Sequence, residues 1–145
     1  MHDFPSSGAW LAHRVSYGET DAMGIVYYAE YFHFFERARN TYIRSHGMSY
    51  TEVEARGILL PVREAQCRYR TPVRFDETIW IHAAISSWGR ASLKFVYEIF
   101  SEDKKTLLAT GMTQHAVVNR EGRPVALPEW LRALRADSVL VPGTA

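Results

Sequence analysis

The feature that most constrains the fold of this chain is one long amphipathic helix followed by a segment of different periodicity. Apolar side chains recur at i, i+3, i+4, i+7 and i+11, at Tyr31, Phe34, Phe35, Ala38 and Tyr42. Polar and charged residues fill most of the positions between them. The spacing predicts a helix from about Ala29 to His46, and Gly47 stands where a left-handed C-cap is expected.

In the second half of the chain the apolar residues alternate with a period of two, which is typical of half-buried strands. This alternation predicts strands over Thr78–Ser86 and Ser92–Phe100, and the short turn between them predicts an antiparallel hairpin. Leu107–Asn119 is interpreted as a further long strand and Gln66–Tyr69 as a short one. One helix therefore accompanies a run of antiparallel strands, an α+β arrangement with the helix on one face of a sheet.

Shorter elements complete the predicted order. His13–Tyr17 permits a short strand, Tyr50–Arg56 a second helix, and Pro128 opens a third helix that runs through Leu134. Residues 1–12 are predicted to form a loosely ordered arm. The length of 145 residues suits one domain built on one core, residues 1–145. One major helix leaves sheet edges open, which favours self-association.

Composition and charge exclude several classes of function. Seventeen Lys and Arg against sixteen Asp and Glu give a net charge of +1, which provides no overall field for nucleic acid or an anionic membrane. The single cysteine, Cys67, cannot form an internal disulfide and is predicted to be buried rather than reactive. Six histidines without metal-site spacing predict no metal. No integral membrane segment is predicted, and we expect a cytoplasmic protein.

The segment between residues 17 and 31 carries the candidate chemistry. It places Asp21 on a loop that leads within a few residues into the N-terminus of the long helix. Free backbone N–H groups there stabilise developing negative charge, so a carboxylate and an oxyanion site would share one small volume, as acyl transfer or hydrolysis requires. Gly24 would let a ligand approach the backbone closely. From the residues alone, an Asp in such a glycine-containing loop is more often a turn or cap residue than a catalytic one.

The order of residues in this segment matches a known signature: an aromatic residue, an acidic-x-Asp, a glycine, two aliphatic residues and two further aromatic residues. The matching residues are Tyr17, Glu19, Asp21, Gly24, Ile25, Val26, Tyr27 and Tyr28. The pattern resembles that of the hotdog-fold acyl-CoA thioesterases, in the 4-hydroxybenzoyl-CoA and Tol-Pal-associated branch. The resemblance covers about residues 13–131 and includes Tyr69–Val73, Gly89, Ala109–Gly111 and Gly122–Pro124.

The resemblance implies a hotdog fold, a long central helix wrapped by an antiparallel sheet, and hydrolysis of an acyl-CoA to a free acid and coenzyme A. By position, Asp21 would be the nucleophile or general base, and the backbone N–H of Tyr28 the oxyanion donor. Gly24, Ile25 and Val26 would border the substrate. One departure from the family is Glu30, which stands near the helix N-cap where relatives commonly have Asn.

The resemblance also implies a homodimer or homotetramer in which hairpin residues, here Arg90 and Ser92, contact the coenzyme A phosphates across the subunit interface. A solvated hairpin tip is an equal alternative for Arg90. No cofactor is expected beyond the coenzyme A of the substrate, and no nucleic-acid partner. Two other functions stay open: an acyl-ACP thioesterase, and a non-catalytic acyl-CoA-binding hotdog module.

Overall fold

The structure is a computed structural model that describes residues 4–5 and 8–134. The five strands are β1 (Ala9–Arg14), β2 (Val62–Tyr69), β3 (Thr78–Trp88), β4 (Ser92–Ser101) and β5 (Leu107–Ala116). They form one antiparallel sheet in the order β1-β3-β4-β5-β2. The helices are α1 (Glu30–Ser45), α2 (Tyr50–Ala55) and α3 (Glu129–Arg132), and a short 3-10 turn covers Tyr17–Glu19. The predicted α+β class is confirmed.

Helix α1 packs its apolar side against one face of the sheet. The buried side chains of α1 are Tyr31, Phe34, Phe35, Ala38, Tyr42 and Ile43. The ring of Phe35 stacks on Tyr97 of β4 with 4.3 Å between centroids. On β5, a Cβ at Gly111 would overlap the Phe35 ring, so the glycine lets the helix approach the sheet closely. The helix and its apolar face agree with the prediction from periodicity.

A chain of hydrogen bonds with one possible direction crosses this core. The Arg39 guanidinium donates to the Tyr97 hydroxyl at 3.1 Å, and the Tyr97 and Thr113 hydroxyls lie 2.5 Å apart. The Thr113 oxygen lies 2.7 Å from His115 Nε2, and His115 Nδ1 lies 2.9 Å from the Leu60 carbonyl oxygen. Because arginine only donates and a carbonyl only accepts, the His115 proton resides on Nδ1, and Nε2 accepts from Thr113.

Strand β1 begins four residues before the predicted strand and ends at Arg14, so the predicted strand at His13–Tyr17 is confirmed only for His13 and Arg14, and the prediction of a loose arm is wrong for residues 9–12. Trp10 pairs with His82 of β3 and stacks on its ring at 4.0 Å. These rings lie on the face of the sheet opposite α1, so apolar side chains occupy both faces of β1 and hide its alternation. Residues 1–3 and 6–7 of the predicted arm lie outside the described residues.

Strand β2 is an edge strand that pairs only with β5, and it is twice as long as the predicted strand at Gln66–Tyr69. Seven of its eight residues are exposed, and only Cys67 is half-buried. Burial raises the pKa of the Cys67 thiol to about 11, so the thiol stays protonated at neutral pH, as predicted for an unreactive cysteine. An eight-residue edge exposed on both faces needs a partner or another protection against pairing.

Candidate active site

The segment between β1 and α1 forms a small ribbon closed by backbone hydrogen bonds. Asp21 N–H donates to the Ile25 carbonyl at 2.9 Å, and Tyr27 N–H donates to the Glu19 carbonyl at 2.9 Å. The ribbon turns at Gly24, whose φ of +78° lies in the left-handed region that favours glycine. The chain therefore leaves the turn beside Asp21 and enters α1 directly afterwards.

The two carboxylate oxygens of Asp21 have different surroundings. Oδ1 accepts the backbone N–H of Met23 at 2.8 Å and that of Ile25 at 3.5 Å, which is the geometry of an Asx turn. Oδ2 has no hydrogen-bond partner among residues 4–5 and 8–134. The turn role and a chemical role are thus compatible, because one oxygen holds the turn and the other is available to a ligand.

The start of α1 presents an unused backbone donor. Glu30 N–H donates to the Tyr27 carbonyl at 2.9 Å, which orients the peptide between Tyr27 and Tyr28. In a trans peptide the N–H points opposite to the C=O, so the Tyr28 N–H points away from the helix. It donates no hydrogen bond within the part of the chain that is described. The partial positive charge of the helix N-terminus adds to its attraction for an oxygen atom.

Asp21 and Tyr28 line the same groove, which has a volume of about 340 Å³. The ribbon contributes the residues Asp21, Ile25, Val26, Tyr27 and Tyr28. A second wall is made by the first turn of α1, the last residue of β2 and the chain that follows it, with the residues Tyr31, Tyr69, Arg70, Thr71 and Pro72. Of these described lining residues, Asp21 is the only carboxylate and Arg70 the only cation.

The tyrosine hydroxyls of the groove are donors rather than bases. Tyr69 donates its hydroxyl to the Tyr28 carbonyl at 2.8 Å, and its ring meets Tyr31 edge to face at 4.8 Å. Burial raises the pKa of Tyr31 to about 12 and also raises the pKa of Tyr69, so both hydroxyls stay protonated at neutral pH. Among the groove residues named above, Asp21 is therefore the side chain suited to act as a nucleophile or base.

The predicted substrate residues of the loop divide into two groups. Ile25 and Val26 line the groove. Gly24 does not line it, and a Cβ there would meet no atom within 4 Å. The positive φ of the turn is by itself a reason for glycine at this position.

Arg90 and Ser92 lie away from the groove within one chain. Ser92 pairs with Ala116, whereas Tyr69 at the groove pairs with Ala109, seven residues away along β5. At roughly 3.4 Å per residue, this places the β3–β4 turn about 24 Å from the groove along the strand direction.

Sequence reasoning did not assign the second wall of the groove. In the sequence, Tyr69–Pro72 falls within a later part of the family resemblance that carries no predicted role. The helical spacing predicts only that Tyr31 lies on the buried face of the helix. The short motif at residues 69–73 was the signal that could have found them. Their contribution depends on β2 ending beside the start of α1, which is a property of the topology.

The described residues contain neither a metal-ligand cluster nor a membrane-spanning helix. Within residues 4–5 and 8–134, no group of three His, Cys, Asp or Glu side chains is arranged to hold a metal ion. None of the helices in the same ranges combines the length and apolar character needed to span a membrane.

Comparison with known proteins identifies the family. Residues 15–134 match the thioesterase-like superfamily. The acyl-CoA thioester hydrolase YbgC of Escherichia coli O6:H1 is 34% identical over 116 residues, covering 80% of this chain and 87% of that protein. The acyl-CoA thioesterase YbgC of Haemophilus influenzae is 30% identical over 83% of this chain and 88% of its own length.

A solved structure agrees with this assignment. The DHNA-CoA thioesterase of Staphylococcus aureus superposes with a TM-score of 0.81 at 28% identity, covering 92% of this chain and 90% of that one. The chain belongs to the thioesterase-like superfamily. The hotdog fold and the enzyme class predicted from the sequence, a thioesterase, are confirmed.

Proposed function

We propose that this protein hydrolyses acyl-CoA thioesters to a free acid and coenzyme A, with Asp21 as the reacting carboxylate. The observation that carries the proposal is the shared groove: among the described residues Asp21 Oδ2 has no hydrogen-bond partner and the Tyr28 N–H has no acceptor, and Asp21 and Tyr28 line the same cavity. The names of the relatives in E. coli and H. influenzae support the same reaction.

In this mechanism the thioester carbonyl oxygen accepts the Tyr28 N–H at the helix N-terminus, where negative charge develops as the carbonyl carbon becomes tetrahedral. If Asp21 Oδ2 attacks the carbon, the carbon–sulfur bond breaks and coenzyme A leaves as a thiolate. Water then hydrolyses the acyl-aspartyl anhydride and regenerates the carboxylate. If Asp21 acts as a general base, it takes a proton from the water that attacks the same carbon. Both routes consume one water and release the same two products.

The groove walls suggest how the substrate is held. Tyrosine rings and Pro72 provide apolar surface for the acyl group. The Arg70 guanidinium, which cannot lose its charge at neutral pH, is placed to meet an anionic part of the coenzyme A moiety.

We further propose a dimer that forms by antiparallel pairing of β2 with β2 of a second copy. Large exposed apolar side chains gather on β2 and around the ribbon, at Tyr17, Met23, Tyr27, Tyr28, Val62, Tyr69 and Phe75. A two-fold axis perpendicular to the sheet reverses the second copy, so its β3–β4 turn lies at the end where this chain has its groove. The Arg90 and Ser92 side chains of that copy would then contact coenzyme A bound here.

The proposed reaction is tested by Asp21→Asn, which keeps the Oδ1 acceptor of the turn and removes the charge. We expect kcat for acyl-CoA hydrolysis to fall on the order of 10²- to 10⁴-fold, with an unchanged melting temperature. Asp103→Asn is the matched control, because Asp103 Oδ1 accepts the Lys105 N–H at 3.0 Å in a similar turn far along the chain. This control should hydrolyse normally.

Normal hydrolysis by Asp21→Asn would contradict the proposal. The absence of any hydrolysis by the unaltered protein would also contradict it, and is the outcome expected of a non-catalytic acyl-CoA-binding module. Rates on matched acyl-CoA and acyl-ACP substrates with the same acyl group identify the carrier. A single turnover in ¹⁸O-labelled water, followed by mass spectrometry of the protein, detects label on Asp21 if an anhydride forms and water attacks its aspartyl carbonyl carbon; hydroxylamine, which reacts with an anhydride, detects the intermediate when water attacks the acyl carbonyl instead.

A further inference from the structure

A side-chain clasp ties the Asp21 ribbon to helix α1. The Glu19 carboxylate oxygen Oε1 lies 2.8 Å from His13 Nε2 at the end of β1 and accepts the Ser16 backbone N–H at 2.9 Å. His13 Nδ1 lies 2.9 Å from Arg37 Nη1, in the second turn of α1. The side chains of His13 and Glu19 are only 14% and 15% exposed.

The directions of these hydrogen bonds follow from the chemistry of arginine. Because Arg37 can only donate, His13 Nδ1 is the unprotonated nitrogen and the His13 proton resides on Nε2. Nε2–H therefore donates to Glu19. Burial raises the pKa of Glu19, but the hydrogen bonds from His13 and Ser16 outweigh it and leave the pKa lowered, so the clasp holds a carboxylate at neutral pH.

Glu19 is joined to both parts of the candidate site. Its side chain is fixed to α1 through His13 and Arg37, and its backbone carbonyl accepts the Tyr27 N–H at 2.9 Å. Asp21 follows two residues after Glu19, and Tyr28 follows Tyr27 directly. One residue thus fixes the base of the ribbon that carries the carboxylate and the chain that presents the backbone donor.

We infer that Glu19 is a positioning residue, which sets the placement of the Asp21 carboxylate relative to the Tyr28 N–H through the His13–Arg37 clasp. The inference rests on the proposed function of Asp21. A displacement of about 1 Å in a reacting group is enough to cost on the order of 100-fold in rate. Loss of the clasp should therefore reduce the chemical step without removing the groove that binds substrate.

The test compares Glu19→Ala with Glu19→Gln on one acyl-CoA substrate. We expect Glu19→Ala to lower kcat on the order of 10- to 100-fold with KM changed less than about threefold. The Gln variant keeps an oxygen that accepts both N–H groups, so its kcat should stay within about threefold of the original. Glu36→Ala is the control, because Glu36 pairs with His33 at 3.6 Å on the exposed side of α1.

A second measurement separates positioning from general damage to the fold. In the Asp21→Asn background there is no reacting carboxylate to misplace, so adding Glu19→Ala should change the residual rate less than about twofold. An equal loss in both backgrounds, or an unaltered kcat for Glu19→Ala, would overturn the inference. If Glu19→Ala does not fold, His13→Ala is assayed in its place, because it keeps the hydrogen bond between Glu19 and Ser16. A normal kcat for His13→Ala would then count against the inference.

The two proposals fail in different ways. Full activity of Asp21→Asn refutes the proposed function, and the inference with it. An inactive Asp21→Asn together with a fully active Glu19→Ala refutes only the role of Glu19.

Discussion

Acidification should destabilise the folded chain through one buried imidazole, His115. Its side chain is 0% exposed. Burial lowers its pKa from 6.5 to about 4, the Leu60 carbonyl acts in the opposite direction, and the positive charge of Arg39 lowers the pKa further. Protonation would also place a donor on Nε2 facing the Thr113 hydroxyl, which reverses the hydrogen-bond chain toward an arginine that can only donate.

The sign of the effect follows from proton linkage. The unfolded chain binds a proton at His115 with the ordinary pKa, and the folded chain binds it only near pH 4. The stability is therefore complete above pH 6.5 and is lost as the pH falls toward 4. For these two values the loss is about 2 kcal/mol at pH 5 and about 3 kcal/mol at pH 4. A loss of this size is a large part of the unfolding free energy of a folded domain, which is typically about 5–15 kcal/mol.

The measurement is urea unfolding followed by circular dichroism from pH 7.5 to pH 4, at one fixed protein concentration. His115→Gln supplies a neutral donor and acceptor, so the difference between its unfolding free energy and that of the unaltered protein isolates His115 from the carboxylates. His33→Gln, at an imidazole that is 59% exposed, is the control and should follow the unaltered protein. Parallel curves for His115→Gln and the unaltered protein would refute the assignment, as would an NMR titration of His115 near pH 6.5.

Two further predictions concern the packing of α1 and the free edge of the sheet. Gly111→Ala should reduce the unfolding free energy by about 1–3 kcal/mol, because its Cβ would overlap the Phe35 ring. Gly18→Ala is the control and should have little effect, because a Cβ at Gly18 would meet no atom within 4 Å. Equal melting temperatures for the two variants would contradict this prediction. In an edge strand, successive backbone N–H groups alternate between the neighbouring strand and the outside. One of Ala65 and Gln66 therefore directs its N–H outward, and replacing that residue with Pro should leave the melting temperature unchanged. The same variant should block pairing of β2 with a second copy, so that sedimentation velocity detects monomers. An unaltered mass for both variants would rule out this dimer.

The central elements of the fold could be predicted because their environment has two clear sides. Helix α1 was predicted to within one residue at each end, since one side contacts the sheet and the other solvent. The edge strands were not. In β2, both faces are exposed and polar residues such as Arg63 and Glu64 interrupt any alternation. In β1, Trp10 lies in an aromatic cluster on the outer face, so the strand lacks a polar side.

The part of the candidate site that could be predicted lies within one local segment. Asp21 and Tyr28 are close in sequence, and a loop entering a helix brings them together by local geometry alone. Tyr69 and Arg70 join them only because β2 ends beside the start of α1, a relation between segments about forty residues apart. The clasp joins His13, Glu19 and Arg37, which the helical period could not relate because two of them precede the helix.

The placement of Tyr69 connects the open sheet edge to the chemistry. Tyr69 is the last residue of β2, and its hydroxyl holds the carbonyl of Tyr28, whose own N–H is the proposed oxyanion donor. A partner strand along β2 would restrict Tyr69, which holds the peptide that directly follows the proposed donor. Because the clasp ties the other side of the ribbon to α1, the proposed reacting carboxylate is held by contacts within the chain, whereas the residue that carries the proposed donor is also held from the sheet edge. The proposed dimer would therefore have a direct physical route to influence the proposed reaction, even though the proposed carboxylate and donor both belong to one chain.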